Sequence, residues 1–300
     1  MKKIIVIIIM FTTVFGFSQK KELRNAEKRL NEGFYNEALD ILSQIEGVII
    51  SSEQKYQAHY YYLLGWANKG DTNYDDAVPL LRKAIDLDNF DKYTEDAGIL
   101  IDQIEIELVN LAVQDNKNED FISASKRLYD AYLINPDKDE NVNYLYFAAS
   151  SSVNGNDYQV ALEYYNKLKK MNYTGIVSEY FITPVETQIE EKVSETEYNL
   201  FKSSKDYTNP RVGKTESRLP EIVKNIALIY VQLGETDMAV TAIEDARKIR
   251  PDDLNLLLSE ADLYMKLGNK EKFKTLMQEA ITKDPDNAIL YYNLGVINVE

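Results

Sequence analysis

The segment from Leu219 to Asn287 is one unit written twice. LPEIVKNIALIYVQLGETDMAVTAIEDARKIRPDD is followed by LNLLLSEADLYMKLGNKEKFKTLMQEAITKDPDN. Ala227 and Ala261, Tyr230 and Tyr264, Gly234 and Gly268, Ala246 and Ala280, and Pro251 and Pro285 all stand 34 residues apart. A fixed period of this length calls for a supersecondary unit that stacks on copies of itself, because one unit cannot bury its apolar side alone. Each landmark has a physical job. Ala227 and Ala246 are small where two helices of a unit cross closely, and Tyr230 and Ile243 fill the space around the crossing. Gly234 turns the chain between the helices without a Cβ penalty. Pro251 ends the second helix, since it lacks an N–H and clashes with the preceding turn.

These landmarks and their spacing resemble the tetratricopeptide repeat family. The resemblance implies an all-α, right-handed solenoid of antiparallel helix pairs, whose concave surface binds proteins or peptides. Earlier repeats follow the same landmarks. The first carries Ala26, Gly33, Tyr35 and Ala38, and its many charges suit a solvent-facing terminal unit. The second carries Leu64-Gly65, Tyr74, Ala77 and Ala84, with Pro79 expected in the first turn of its second helix. The third keeps Ala112, Phe121, Ala124, Leu128, Ala131 and Pro136, but Glu119 replaces the turn glycine, so a looser turn is expected. An amphipathic stretch from Ala97 to Ile106 lengthens its first helix. The fourth keeps Ala149, Tyr158, Ala161, Tyr165 and Leu168, with Gly155 one residue early.

The organisation read from these landmarks has four parts. Residues 1–18 form a secretory signal peptide: Lys2 and Lys3, an uncharged run from Ile4 to Phe15, then small Gly16 and Ser18 before a cut ahead of Gln19. The run is shorter than the roughly 20 apolar residues of a membrane span. A periplasmic or secreted location follows as an expectation. Residues 19–171 hold repeats one to four, 172–218 an insertion, and 219–300 repeats five and six with the first helix of a seventh. That last helix (AILYYNLGVINVE) carries Ile289, Leu290, Tyr291, Leu294, Val296, Ile297 and Val299. Either the chain is a fragment of a longer protein, or this helix docks on a partner or a second copy.

The insertion breaks the helical period. Ile176 to Ile182 is rich in β-branched and aromatic residues, Val185 to Val193 alternates, and Pro184 lies between, which predicts a small β-hairpin. Ser194 followed by Glu197 predicts a capping box and a short helix to about Ser203. KDYTNPRVGKTESR, to Arg218, reads as a polar loop and a basic patch in an acidic protein. The segment is either a decoration on the solenoid's side or a partner-contact element.

Composition excludes several chemistries. The chain has no cysteine, so disulfides, thiolate catalysis and Cys-based zinc sites are absent. Its formal charge is −15, and no basic face suits a phosphate backbone. One histidine, His59, would have to carry any His-dependent triad. No G-x-S-x-G, H-E-x-x-H, P-loop or G-x-G-x-x-G motif occurs. Asp71, Asn73, Asp75 and Asp76 loosely resemble a calcium loop, without its glycine and distal Glu in register. No catalytic, cofactor or metal residues are assigned, and the chain is read as a non-enzyme.

Binding is the better expectation. In the family that this chain resembles, the first helix of each unit lines the groove. Projecting that register selects His59, Tyr62 and Trp66; Asn143, Tyr146 and Ser150; Glu221, Lys224, Asn225 and Leu228; and Asn255, Leu258 and Asp262. Two readings stand for Tyr62 and Trp66: packing between repeats, or anchoring an extended peptide. Some family members clamp a C-terminal carboxylate with Lys, Asn and Arg from three repeats. Lys224 and Asn225 fall on such positions, but the neighbouring repeats offer Val109 and Val113, or Leu258 and Asp262, instead of further cations, so a complete clamp is absent. The expected function is a protein- or peptide-binding scaffold in a bacterial envelope assembly, the alternative a glycan or cell-wall binder.

Overall fold

A computed structural model describes residues 19–299, and their side chains as far as residue 295. The expected signal peptide, residues 1–18, lies outside the described residues. The described residues divide into two compact units, 19–117 with 127–136 and 118–126 with 137–299.

The first unit contains helices α1 (19–31), α2 (Tyr35–Ile49), α3 (Gln54–Gly70), α4 (Tyr74–Leu87), α5 (Thr94–Lys117) and the later part of α6 (Phe121–Ile134). In α4 the apolar residues Ala77, Leu81 and Ala84 recur at helical spacing and are fully buried. They pack on α3 at Gly65, where an added Cβ would lie 2.7 Å from Leu81 Cγ. Small residues thus set the helix separation, and each buried Leu contributes roughly 1.5–3 kcal/mol of apolar burial. Pro79 is the sixth residue of α4, not in its first turn, so its missing N–H removes one interior helical bond. The predicted lengthening of the third repeat's first helix is present: α5 runs for 24 residues.

One local feature is common to all six helix pairs. Seven residues after the small landmark of each first helix, the backbone takes positive φ: Gly33 (80°), Thr72 (61°), Glu119 (62°), Asn156 (60°), Gly234 (78°) and Gly268 (73°). The looser turn expected at Glu119 is therefore not formed. The same left-handed turn is made there by a residue that bears a cost of roughly 1–2 kcal/mol for it. In the fourth repeat the turn falls on Asn156, and Gly155 serves another purpose. A Cβ on Gly155 would meet Ile122 Cδ1 at 2.7 Å, so this glycine admits the start of α6.

The second unit contains the first residues of α6, then α7 (Asp139–Asn154), α8 (Tyr158–Lys170), α9 (Glu195–Phe201), α10 (Leu219–Gln232), α11 (Thr236–Ile249), α12 (Leu254–Lys266), α13 (Lys270–Lys283) and α14 (Ala288–Val299). Ala227, Ala239, Ile243, Ala246 and Leu256 form one buried cluster; Ala261, Phe273, Met277, Ala280 and Leu290 form the next. Across the joint between α11, α12 and α13, Arg247 donates to Glu260 at 2.5 Å and to Glu279 at 2.7 Å, and Glu260 is only 4% exposed.

The insertion folds as a three-stranded antiparallel sheet of order β2-β1-β3: β1 (Ser178–Pro184), β2 (Glu191–Val193) and β3 (Tyr207–Lys214). The predicted hairpin is β1–β2. The stretch read as a polar loop is corrected: residues 207–214 form the third strand, paired with β1. Most side chains of β3 are exposed, so no apolar alternation marked it. The short helix α9 begins with the predicted capping box of Ser194 and Glu197. Helix α10 packs against α8 as well as α12, so the fifth repeat stacks on the fourth around the insertion.

Candidate functional site

The register that selects groove residues places them in two clefts, one in each unit. In the first unit, His59 lines a cleft of ≈ 440 Å³ with Lys20, Leu23, Arg24 and Glu27 from α1. Lys20, Leu23 and Glu27 stand 39 residues before His59, Tyr62 and Trp66, the same offset that separates Ala26 from Gly65. They are therefore the first repeat's groove positions, legible in the sequence from that offset although the many charges of α1 point to a solvent-facing cap. The floor is aromatic. His59 stacks on Tyr93 with centroids 4.8 Å apart and planes 8° apart. Tyr62 stacks on the same ring at 5.3 Å and meets Trp66 at 6.0 Å. Tyr62 is 9% exposed, so its ring packs in the floor rather than standing open to a ligand.

Tyr93 comes from the loop between α4 and α5, which lies outside the repeat pattern. The Asp88 carboxylate holds that loop, accepting from the backbone N–H of Tyr93 at 2.5 Å and of Thr94 at 3.0 Å. Burial, with Lys92 nearby, lowers the His59 imidazole to about 4, so it is neutral at pH 7. Its Nε2 lies 3.6 Å from a Glu27 carboxylate oxygen.

In the second unit, Glu221, Lys224, Asn255, Leu258 and Asp262 line one cleft of ≈ 530 Å³ with Arg218 and Pro220. All five come from the projected register of the fifth and sixth repeats. Lys224 donates to Asp262 at 2.7 Å across α10 and α12. Asn225 faces the other way and donates to the buried Tyr165 hydroxyl at 2.9 Å, which makes it a packing residue. Leu228 is half-buried on α10 and is not among the cleft's lining residues.

The fourth repeat's groove positions are occupied from within the chain. Arg218, the last residue of the insertion, lays its guanidinium over the Tyr146 ring at 4.3 Å and the Phe147 ring at 5.2 Å. It also donates to Asn143 Oδ1 at 3.3 Å, an oxygen that accepts from the Tyr173 hydroxyl at 2.5 Å. Burial, then a hydrogen bond to Glu221, pushes the Tyr146 phenol far above its ordinary range. The role of Arg218 had no signal in the register, because an insertion has no repeat to be aligned with.

Comparison with known proteins agrees with the repeat landmarks. Models of the tetratricopeptide repeat match residues 58–91 and residues 225–288. A stretch of 121 residues is 25% identical to the 131 kDa subunit of transcription factor tau of Saccharomyces cerevisiae, covering 40% of this chain and 11% of that protein. Among solved structures, pilF of Pseudomonas aeruginosa is similar at 13% identity over 94% of this chain and 98% of that one, with a TM-score of 0.34. YrrB, described as a TPR protein with an unusual peptide-binding site, is similar at 13% identity over 83% of this chain and 96% of that one, with a TM-score of 0.35. The family models match one repeat in the first unit and two in the second, the latter two spanning the landmarks that set the 34-residue period, and the chain belongs to the tetratricopeptide repeat family.

Proposed function

We propose that this chain is a non-catalytic scaffold that holds an extended protein segment in the clefts formed by the first helices of its repeats. We place it in a bacterial envelope assembly, in the periplasm or outside the cell, on the leader-like residues 1–18. One observation carries the binding reading. Five residues selected by repeat register alone, Glu221, Lys224, Asn255, Leu258 and Asp262, converge on a single cleft. Helix pairs that only packed together would have no need of an open, polar-rimmed surface at those positions. The cleft combines a half-buried Leu258 with an exposed acid and amide, a pattern that suits main-chain and side-chain contacts to an extended segment rather than turnover of a small molecule.

Site-specific photo-crosslinking in the native envelope tests this. A crosslinker at Leu258 should capture a discrete protein that a crosslinker at Lys248, an exposed second-helix position, does not. The same capture pattern at both positions, or none at Leu258, would overturn the reading.

A further inference from the structure

We infer that the cleft of the first unit is a docking site for an acidic peptide segment bearing an apolar side chain. This rests on the scaffold reading above and names the partner class for one of its two clefts. The chain is acidic overall, yet α1 and the α4–α5 loop bring Lys20, Arg24 and Lys92 to the rim of one cavity. Among the described residues none of the three has a carboxylate within ion-pair distance, while other basic side chains near them do. The cleft's own carboxylates, Glu27 and Asp88, favour the charged form of Lys92, which lies over the Tyr93 ring at 4.8 Å, but neither makes an ion pair with it. Asp88 is taken up by the N–H groups of Tyr93 and Thr94 and by the Thr94 hydroxyl. Glu27 faces His59.

Counting Lys55, four basic side chains line the cleft against two carboxylates, Glu27 and Asp88, so the cleft is net positive in an acidic chain and attracts an incoming anion. The apolar part of the ligand also has a place. Phe90, on the same loop, is 80% exposed at the rim, beside the stacked rings of Tyr93 and His59. His59 Nε2 is buried without a hydrogen-bond partner among the described residues, so this floor offers rings and no competing positive charge at neutral pH. The arrangement sets a majority of cations beside an aromatic floor, which fits a segment alternating carboxylate and apolar side chains.

The test uses the purified chain and a short synthetic peptide alternating Glu and Leu, with its Gln/Leu counterpart as control. Trp66 is the chain's only tryptophan and packs on Tyr62, whose ring rests on Tyr93, so its emission reports occupancy of this cleft. The Glu/Leu peptide should shift Trp66 emission and bind more weakly as salt rises. The double variant Lys20→Glu, Arg24→Glu, both at exposed positions, should weaken binding about tenfold, and Lys92→Glu should weaken it in the same direction. Lys248→Glu, at an exposed second-helix position of the other unit, should leave it unchanged.

Equal binding of the Gln/Leu peptide, or loss of binding only in Lys248→Glu, would overturn the inference. Tighter binding of a single-stranded oligonucleotide than of the peptide would overturn the choice of occupant. If a mixed peptide library binds at the second cleft while the Glu/Leu peptide fails at the first, this inference alone falls. If the library binds nowhere, the scaffold reading falls with it.

Discussion

The two clefts use the same positions of the same repeat and arrive at different chemistry. In the first unit the floor is a set of stacked rings, His59, Tyr93 and Tyr62, with cations at the rim. In the second unit the cleft is crossed by an ion pair, Lys224 with Asp262, and the neighbouring groove positions are covered by Arg218. In both cases the deciding group comes from outside the repeat: Tyr93 from an inter-repeat loop, Arg218 from the end of the insertion. The repeat supplies the backbone and its spacing; what fills the groove is decided by the segments between repeats.

The largest expected effect would remove one side of this comparison and leave the other. Ala239 is fully buried at the α10–α11 crossing. Ala239→Glu forces an unpaired charge there and should destabilise the second unit by about 4 kcal/mol. Circular dichroism should lose helix while Trp66 emission, from the first unit, keeps its native maximum; an unchanged melt would refute the register. Next in size is the buried network of the second unit. Arg247→Ala strands Glu260 and should cost about 3 kcal/mol, read as a lowered chemical midpoint. The double variant Arg247→Met, Glu260→Leu should recover most of that loss, because it removes both charges together.

The first unit should respond to acid. Neutral His59 titrates near 4 in the folded chain against an ordinary 6.5. Between those values the unfolded chain binds the additional proton. The stabilisation is therefore complete above pH 6.5, is lost as pH falls toward 4, and amounts to about 3 kcal/mol. Urea titrations followed through Trp66 should show this slope, and His59→Phe should flatten it. The smallest effect belongs to the second cleft. Lys224→Ala breaks a half-exposed pair and should change stability by at most about 0.5 kcal/mol, less at high salt. A large loss there would mean that the ion pair is structural and would erase the contrast between the two clefts.

Some of the fold was plain in the residues. The helix pairs followed from a period shared by Ala, Gly and Pro landmarks, and the capping box of α9 from Ser194 and Glu197. The turns of the third and fourth repeats were legible in place but not in form. Glu119 and Asn156 occupy the position at which Gly33, Gly234 and Gly268 turn, and the stacked helices impose the same backbone on a less suited residue. Strand β3 was not legible, because its exposed side chains carry no alternation and its order comes from backbone pairing with β1. The candidate site divided in the same way. Glu221, Lys224, Asn255, Leu258 and Asp262 came from register, as Lys20, Leu23 and Glu27 would have done had the offset been carried back to α1.

By itself, then, the amino-acid sequence determined the repeat: its length, its helix pairs, the small residues at each crossing and the face that each first helix leaves open. These are local properties, set by side-chain size, backbone preference and a period that recurs along the chain. Only the tertiary structure decided that Tyr62 is a floor residue, that Asn225 turns toward Tyr165 and that Arg218 lies across Tyr146. Those outcomes depend on which segment packs against an open face. Contacts between residues far apart in the chain, such as Tyr93 on His59 or Arg218 on Asn143, leave no periodic trace for a reader of the sequence to find.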